Sequence, residues 1–233
     1  MRIFDRPSPN HDARPAGQAI DMIVLHYTDM ESAEAAIGRL SDPEAKVSAH
    51  YVVDEDGTIA RLVPEQRRAW HAGVSAWAGR RGLNGCSIGI ELVNPGHSCG
   101  YRPFPDAQIA SLVTLVRDVS ARYAIPPARV LGHSDIAPAR KIDPGELFPW
   151  PWLAAEGLGL WAAPLAGPPL DPPALEALLA QIGFAVGGED APLAKVIEAV
   201  QRHWRPARID GVADAETVAL IRGLAAAALA ATR

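Results

Sequence analysis

Short apolar runs ending on polar residues recur along the first 150 positions, interrupted by two segments of helical period. Met22-Ile23-Val24-Leu25 is continuously apolar and short, as expected for a central strand covered on both faces, and it leads into His26. Residues 32–40 predict a helix with Ser32 as its cap. Residues 47–53 and 58–63 flank Asp54-Glu55-Asp56-Gly57, which predicts a β-hairpin. Residues 87–93 form another β-type run, with Glu91 inside it and Asn94-Pro95-Gly96 ending it. From Asp106, the expected cap, Ile109, Leu112, Val113, Val116, Val119 and Tyr123 mark one face of a helix that Pro126-Pro127 stops. Residues 1–20 are polar and Pro-containing and read as an irregular arm.

Beyond Trp150-Pro151-Trp152-Leu153 the pattern changes. Residues 163–173 are rich in Pro and Gly and read as a linker. Three short helical patterns follow, with Asp171, Asp190 and Asp214 as expected caps. The organisation is therefore an α/β domain over residues 1–160, a linker at 161–173 and a small three-helix domain at 174–233.

The chain has 233 residues, is 48% hydrophobic and carries a net charge of -5. It can bury a sizeable core, and it lacks the clustered Lys and Arg that nucleic acid requires. No stretch approaches the roughly 20 apolar residues of a membrane span. The N-terminal residues contain no apolar secretory core, so the expectation is a cytoplasmic protein if Met1 is the native start, and a periplasmic one if the sequence is truncated. Cys86 and Cys99 read as free thiols.

The richest chemistry lies in Gly132-His133-Ser134-Asp135-Ile136-Ala137-Pro138-Ala139-Arg140-Lys141-Ile142-Asp143-Pro144-Gly145. An imidazole, an ammonium and a carboxylate gather there after the apolar run 128–131. Pro138 and Pro144 predict an ordered loop and no helix. His26, Glu91 and His133 each sit in or just after a short apolar strand, where sheet proteins often place ligands. Two His and one Asp suit Zn²⁺ with an open fourth position, which points to metal-assisted hydrolysis.

The set Val24-Leu25-His26-Tyr27-Thr28, Ser48-Ala49-His50-Tyr51-Val52, Trp70-His71-Ala72-Gly73, Ile88-Gly89-Ile90-Glu91 and the 132–145 stretch resembles the zinc-dependent N-acetylmuramoyl-L-alanine amidases of the type-2 amidase family. Within it the chain looks most like the AmiD and AmpD branches. The resemblance implies a mixed central sheet flanked by helices, with one Zn²⁺ held by His26, His133 and Asp143. It implies Glu91 as general base and proton shuttle, and Lys141 as oxyanion stabiliser. The reaction implied is hydrolysis of the amide between N-acetylmuramic acid and L-alanine in muropeptides, 1,6-anhydro forms included, during wall recycling. The C-terminal pattern is similar to small peptidoglycan-binding domains. A non-catalytic muropeptide-recognition protein on the same fold is the alternative. The oligomeric state stays open.

The other histidines divide. His71 has the place of a substrate-binding wall residue, with a stacked structural role as its alternative. His50 reads as structural, and His11, His97 and His203 as surface residues. Trp150 and Trp152 read as packing anchors.

Overall fold

The computed structural model describes residues 2–231. In chain order the elements are β1 (Arg2–Asp5), β2 (His11–Ala13), β3 (Met22–Tyr27), α1 (Ala33–Ser41), β4 (Tyr51–Val53), β5 (Thr58–Arg61), β6 (Arg67–Ala69), β7 (Ala76–Trp77), β8 (Arg80–Arg81) and β9 (Ser87–Leu92). They continue with α2 (Gly96–Cys99), α3 (Asp106–Tyr123), β10 (Val130–Gly132), α4 (His133–Ile136), α5 (Trp150–Ala155), α6 (Pro172–Ile182), α7 (Leu193–Trp204) and α8 (Ala215–Ala230). The main sheet runs β1-β5-β4-β9-β3-β10. Its neighbours are parallel except β4 and β5, so the sheet is mixed.

Side chains of a strand alternate between the two faces of a sheet, and this sorts the core. Ile23 and Leu25 of β3, with Ile88, Ile90 and Leu92 of β9, point to the face covered by α3, where Ile109, Leu112, Val116 and Val119 meet them. Met22 and Val24 point the other way, as does Leu131 of β10, into one cluster with Leu179, Val196, Val200, Ile221 and Leu224 of α6, α7 and α8. The three C-terminal helices therefore share a core with the sheet. On that same face α1 packs Ile37 and Leu40 against Val52 and Ala60.

Local chemistry explains several termini. The Ser32 hydroxyl accepts from the Ala35 amide at the start of α1, Asp171 accepts from Ala174 at α6 and Asp214 from Thr217 at α8. Asp106 is the first residue of α3, with Pro105 in the cap position. Asp190 caps nothing. Pro192 precedes α7, and Asp190 lies 3.6 Å from Arg81 instead.

Three further expectations are corrected. The arm 1–20 holds two strands: β1 pairs with β5 and β2 with β6 through the backbone. All four residues of β1 are exposed, so no apolar alternation announced it. The strand expected from residue 47 begins at Tyr51, although His50 N–H already donates to Gly89 O at 3.0 Å. The 132–145 loop opens with a single helical turn, α4, that closes before Pro138. The residues linking α5 to α6 lie along α8, where Leu165 N–H donates to Ala219 O at 2.8 Å and Arg222 donates to Pro168 O. Among the described residues no helix is long and apolar enough to cross a membrane. Cys86 and Cys99 are both free.

Candidate active site

β3 delivers His26 at its carboxyl end, on the face that also carries Met22 and Val24. In β9, Ser87, Gly89 and Glu91 point to this face because Ile88, Ile90 and Leu92 point to the other. β10 ends at Gly132, and His133 opens α4 immediately after it. The chain then turns back on itself. Lys141 N–H donates to Ala137 O at 3.0 Å, and Ser134 N–H donates to Asp143 O at 2.9 Å. That bond holds Asp143 beside the turn carrying His133.

Three donor atoms converge as a result. His26 Nδ1 and His133 Nδ1 are 3.0 Å apart, and Asp143 Oδ2 lies 2.9 Å from the first and 3.0 Å from the second. All three residues are buried.

The hydrogen-bond network assigns the tautomers. His133 Nε2 lies 3.1 Å from Ala72 O, which can only accept, so this nitrogen carries the proton and Nδ1 is bare. For His26 the argument runs through His71. Ser87 Oγ–H donates to Leu83 O at 2.7 Å, so Ser87 Oγ accepts from His71 Nε2–H at 3.2 Å. His71 Nδ1 is then the acceptor for His26 Nε2–H at 3.1 Å, which leaves His26 Nδ1 bare as well. Two bare nitrogens and a carboxylate oxygen thus face one another with no hydrogen of their own between them. One added proton could bridge one edge of this triangle but not all three.

Burial favours the neutral form of His26 and of His71. Burial first, and then the His133 charge, pushes the His26 imidazole down to about 4. Burial and the neighbouring histidines hold His71 well below the usual imidazole range. For Asp143 burial acts upward, but His133 and His26 outweigh it and hold the carboxyl well below the carboxylate range. Glu91 goes the other way. Burial, with the Asp143 charge adding and Lys141 opposing, pushes it well above its ordinary value. Its Oε2 has no hydrogen-bond partner among the described residues.

A cleft of about 400 Å³ opens over this group. Glu91, Lys141, Arg140, Arg39 of α1 and His97 line it. Among the described residues neither Lys141 nor Arg140 has an ion-pair partner; the Arg140 guanidinium is held by backbone carbonyls, donating to Val74 O at 2.5 Å and to Ala72 O at 3.3 Å.

His71 lines the cleft too, yet both its ring nitrogens are engaged inside the protein. It packs over Gly89 so tightly that a Cβ there would sit 2.4 Å from its ring. His50 accepts from the Gly89 amide at 2.9 Å through Nδ1 and faces Arg67 O through Nε2 at 3.1 Å, a structural placement. His97 is a partly exposed neighbour of Tyr27 and Glu146. His203 is buried, against expectation. Sequence reasoning missed Asn84. Its Oδ1 accepts from the His71 amide at 3.0 Å and the Ala72 amide at 2.7 Å, which fixes the segment that presents Ala72 O to His133. An Asn in a Gly-rich turn carries no signal of this.

The cleft lies over two histidines that follow parallel strands and an aspartate that the loop after α4 brings back to them, a donor set that suits the class of metal-assisted hydrolases. A family model described as N-acetylmuramoyl-L-alanine amidase matches residues 16–146, and the chain belongs to this Amidase_2 family of enzymes. It is 43% identical over 250 residues to the N-acetylmuramoyl-L-alanine amidase AmiD of Escherichia coli, covering 95% of this chain and 90% of the relative. It is 37% identical over 161 residues to the 1,6-anhydro-N-acetylmuramyl-L-alanine amidase AmpD of Enterobacter cloacae, covering 62% of this chain and 84% of that one. The E. coli AmiD structure in complex with the substrate anhydro-N-acetylmuramic acid-L-Ala-D-gamma-Glu-L-Lys superposes with a TM-score of 0.78 at 40% identity, over 91% of each chain. AmpDh3 from Pseudomonas aeruginosa, in complex with anhydromuramic pentapeptide, gives 0.79 at 34% identity, over 90% of this chain and 92% of that one.

Proposed function

We propose that this protein hydrolyses the amide between the lactyl group of N-acetylmuramic acid and L-alanine in peptidoglycan fragments, using one Zn²⁺ held by His26, His133 and Asp143. The observation that carries the reading is the triangle of His26 Nδ1, His133 Nδ1 and Asp143 Oδ2, with edges of 2.9 to 3.0 Å. A tetrahedral zinc with ligands at about 2.0 to 2.1 Å has donor-to-donor edges of about 3.3 to 3.4 Å, so the three atoms need to spread only slightly. Three protein donors also leave one position for solvent or substrate, as hydrolytic zinc sites require. Bound there, the ion would polarise the scissile carbonyl and acidify a water.

This chain's own residues supply the rest. Glu91, raised towards the working pH range by burial, takes a proton from the attacking water. Water oxygen bonds to the carbonyl carbon. The carbon–nitrogen bond then breaks, and Glu91 returns the proton to the leaving L-alanine amine. Lys141, which lines the cleft with no ion-pair partner among the described residues, stabilises the negative charge that develops on the carbonyl oxygen. Imidazole Nε2–H bonds to His71 and Ala72 keep both His26 and His133 turned with Nδ1 inward.

The substrate class extends to 1,6-anhydro fragments. Support comes from relatives whose structures hold an anhydro-muramic tripeptide and an anhydromuramic pentapeptide. Turnover of such fragments is what a role in wall recycling requires. The test is mass spectrometry of products from defined anhydro and non-anhydro muropeptides, with and without a chelator. The expected products are the free sugar acid and the intact stem peptide, lost on chelation and restored by zinc. Intact muropeptide after zinc restoration would overturn the reading.

A further inference from the structure

The buried contact between α7 and α4 belongs to neither the cleft nor the donor triangle. His203, in the last turn of α7, places Nδ1 2.8 Å from Asp135 Oδ2. The two side chains are 2% and 0% exposed. Asp135 Oδ2 is already occupied: the Gly132 amide donates to it at 2.7 Å. Gly132 is the last residue of β10 and the cap of α4, and His133 follows it directly. One carboxylate oxygen thus ties the tip of a C-terminal helix to the peptide that aims His133.

The imidazole has little freedom. Trp150 stacks on one face with ring centres 3.6 Å apart, and Trp204 on the other at 3.5 Å. A flat ring between two indoles keeps its plane, so its Nδ1–H stays directed at Asp135. The junction it reaches is equally tight. A Cβ on Gly132 would meet Pro144 at 2.9 Å and Trp150 at 3.3 Å. The rim of α5, the turn of α4 and the tip of α7 are packed as one unit around this hydrogen bond.

From this geometry we infer that His203 is a positioning residue for the metal site: through Asp135 and the Gly132 amide, the C-terminal helical unit sets the direction in which His133 presents Nδ1. The helices beyond residue 171 would then tune metal affinity in the amidase part as well as pack against it. The inference rests on the zinc reading above. Outer-shell hydrogen bonds of metal ligands typically change affinity by roughly 10- to 100-fold, and a contact acting through a carboxylate and a backbone amide belongs at about the lower bound.

The test is zinc affinity of the full chain, measured by competition with a chromogenic chelator, with folding followed by circular dichroism. His203→Phe keeps a flat ring between the two indoles and removes the donor; its expected affinity is about 10-fold lower. His203→Asn places an amide N–H near the Nδ1 position and should recover most of the loss. Val200→Ala, a cavity in the same helix away from the hydrogen bond, should leave affinity unchanged. Should H203F not fold, His203→Gln, whose donor lies near the Nε2 position, takes its place against H203N. Unchanged affinity in the donor-less variant, no recovery in H203N, or an equal loss in V200A would each overturn the inference. Wild-type protein that takes up no zinc would overturn the zinc reading and this one with it; wild-type uptake with an unaffected H203F overturns this one alone.

Discussion

His26 and Glu91 are register partners on the adjacent parallel strands β3 and β9, so their side chains leave the sheet on the same face at the same level. One supplies a donor to the proposed zinc and the other is the proposed base. Neighbouring backbones fix their separation, so no long side chain has to be ordered when substrate binds. The Glu91→Gln variant keeps the shape and loses the base. It is expected to bind zinc like the wild type and to lose about 10²- to 10⁴-fold in kcat, the usual contribution of a positioned acid–base group. Zinc content and kcat measured on one preparation check this, and normal turnover would remove Glu91 from the reaction.

The raised pKa of Glu91 has a sign that can be measured twice. A base must be ionised to act, so kcat/KM should fall as pH drops through a value above the ordinary carboxylate range. In stability the folded state holds the proton more tightly than the unfolded one. The contribution of Glu91 is therefore fully present below the unfolded pKa and is lost as pH rises through the folded pKa. E91Q should raise Tm at pH 8 and lose that advantage near pH 4. Thermal melts at the two pH values, with chelator in both, decide it.

Lys141 lines the cleft without a carboxylate partner among the described residues, so its charge is available to substrate. Lys141→Ala should lower kcat by about 10²- to 10³-fold, the cost of losing one donor to a developing oxyanion, with zinc affinity little changed. A KM effect alone would assign it to binding.

His71 braces His26 through Nδ1 and is braced by Ser87 through Nε2. His71→Leu removes the acceptor for His26 Nε2–H. Zinc affinity should fall by roughly 10- to 100-fold, measured by chelator competition. Unchanged affinity would leave His71 with the wall of the cleft.

The core shared between the sheet and the C-terminal helices predicts one cooperative transition. Leu179 is fully buried in the cluster that holds Met22 and Val24. Leu179→Ala should cost about 2–5 kcal/mol and move far-UV and near-UV transitions together. Two separated transitions in either protein would show that the helices unfold by themselves.

What could be read from the sequence follows from local signals. The runs before His26 and around Glu91 are short and apolar, and Pro138 and Pro144 mark the segment that returns Asp143 to His133. The caps Ser32, Asp171 and Asp214 are local hydrogen bonds and were legible. β1 was not, because its four residues pair by backbone and bury nothing. Asp190 was misread because a polar residue before an apolar period need not be the one that turns inward, and here Pro192 sits in its place. The bracing by His71 depends on the missing Cβ of Gly89, and the burial of His203 on two tryptophans, one of them 53 positions away. Such contacts are made by the tertiary fold and leave no spacing to read.

The most direct test is anomalous diffraction at the zinc edge from crystals of the zinc-loaded protein. The account predicts one peak per chain, at about 2.0 to 2.2 Å from His26 Nδ1, His133 Nδ1 and Asp143 Oδ2. A peak bound through either Nε2, or placed away from these three atoms, would contradict it.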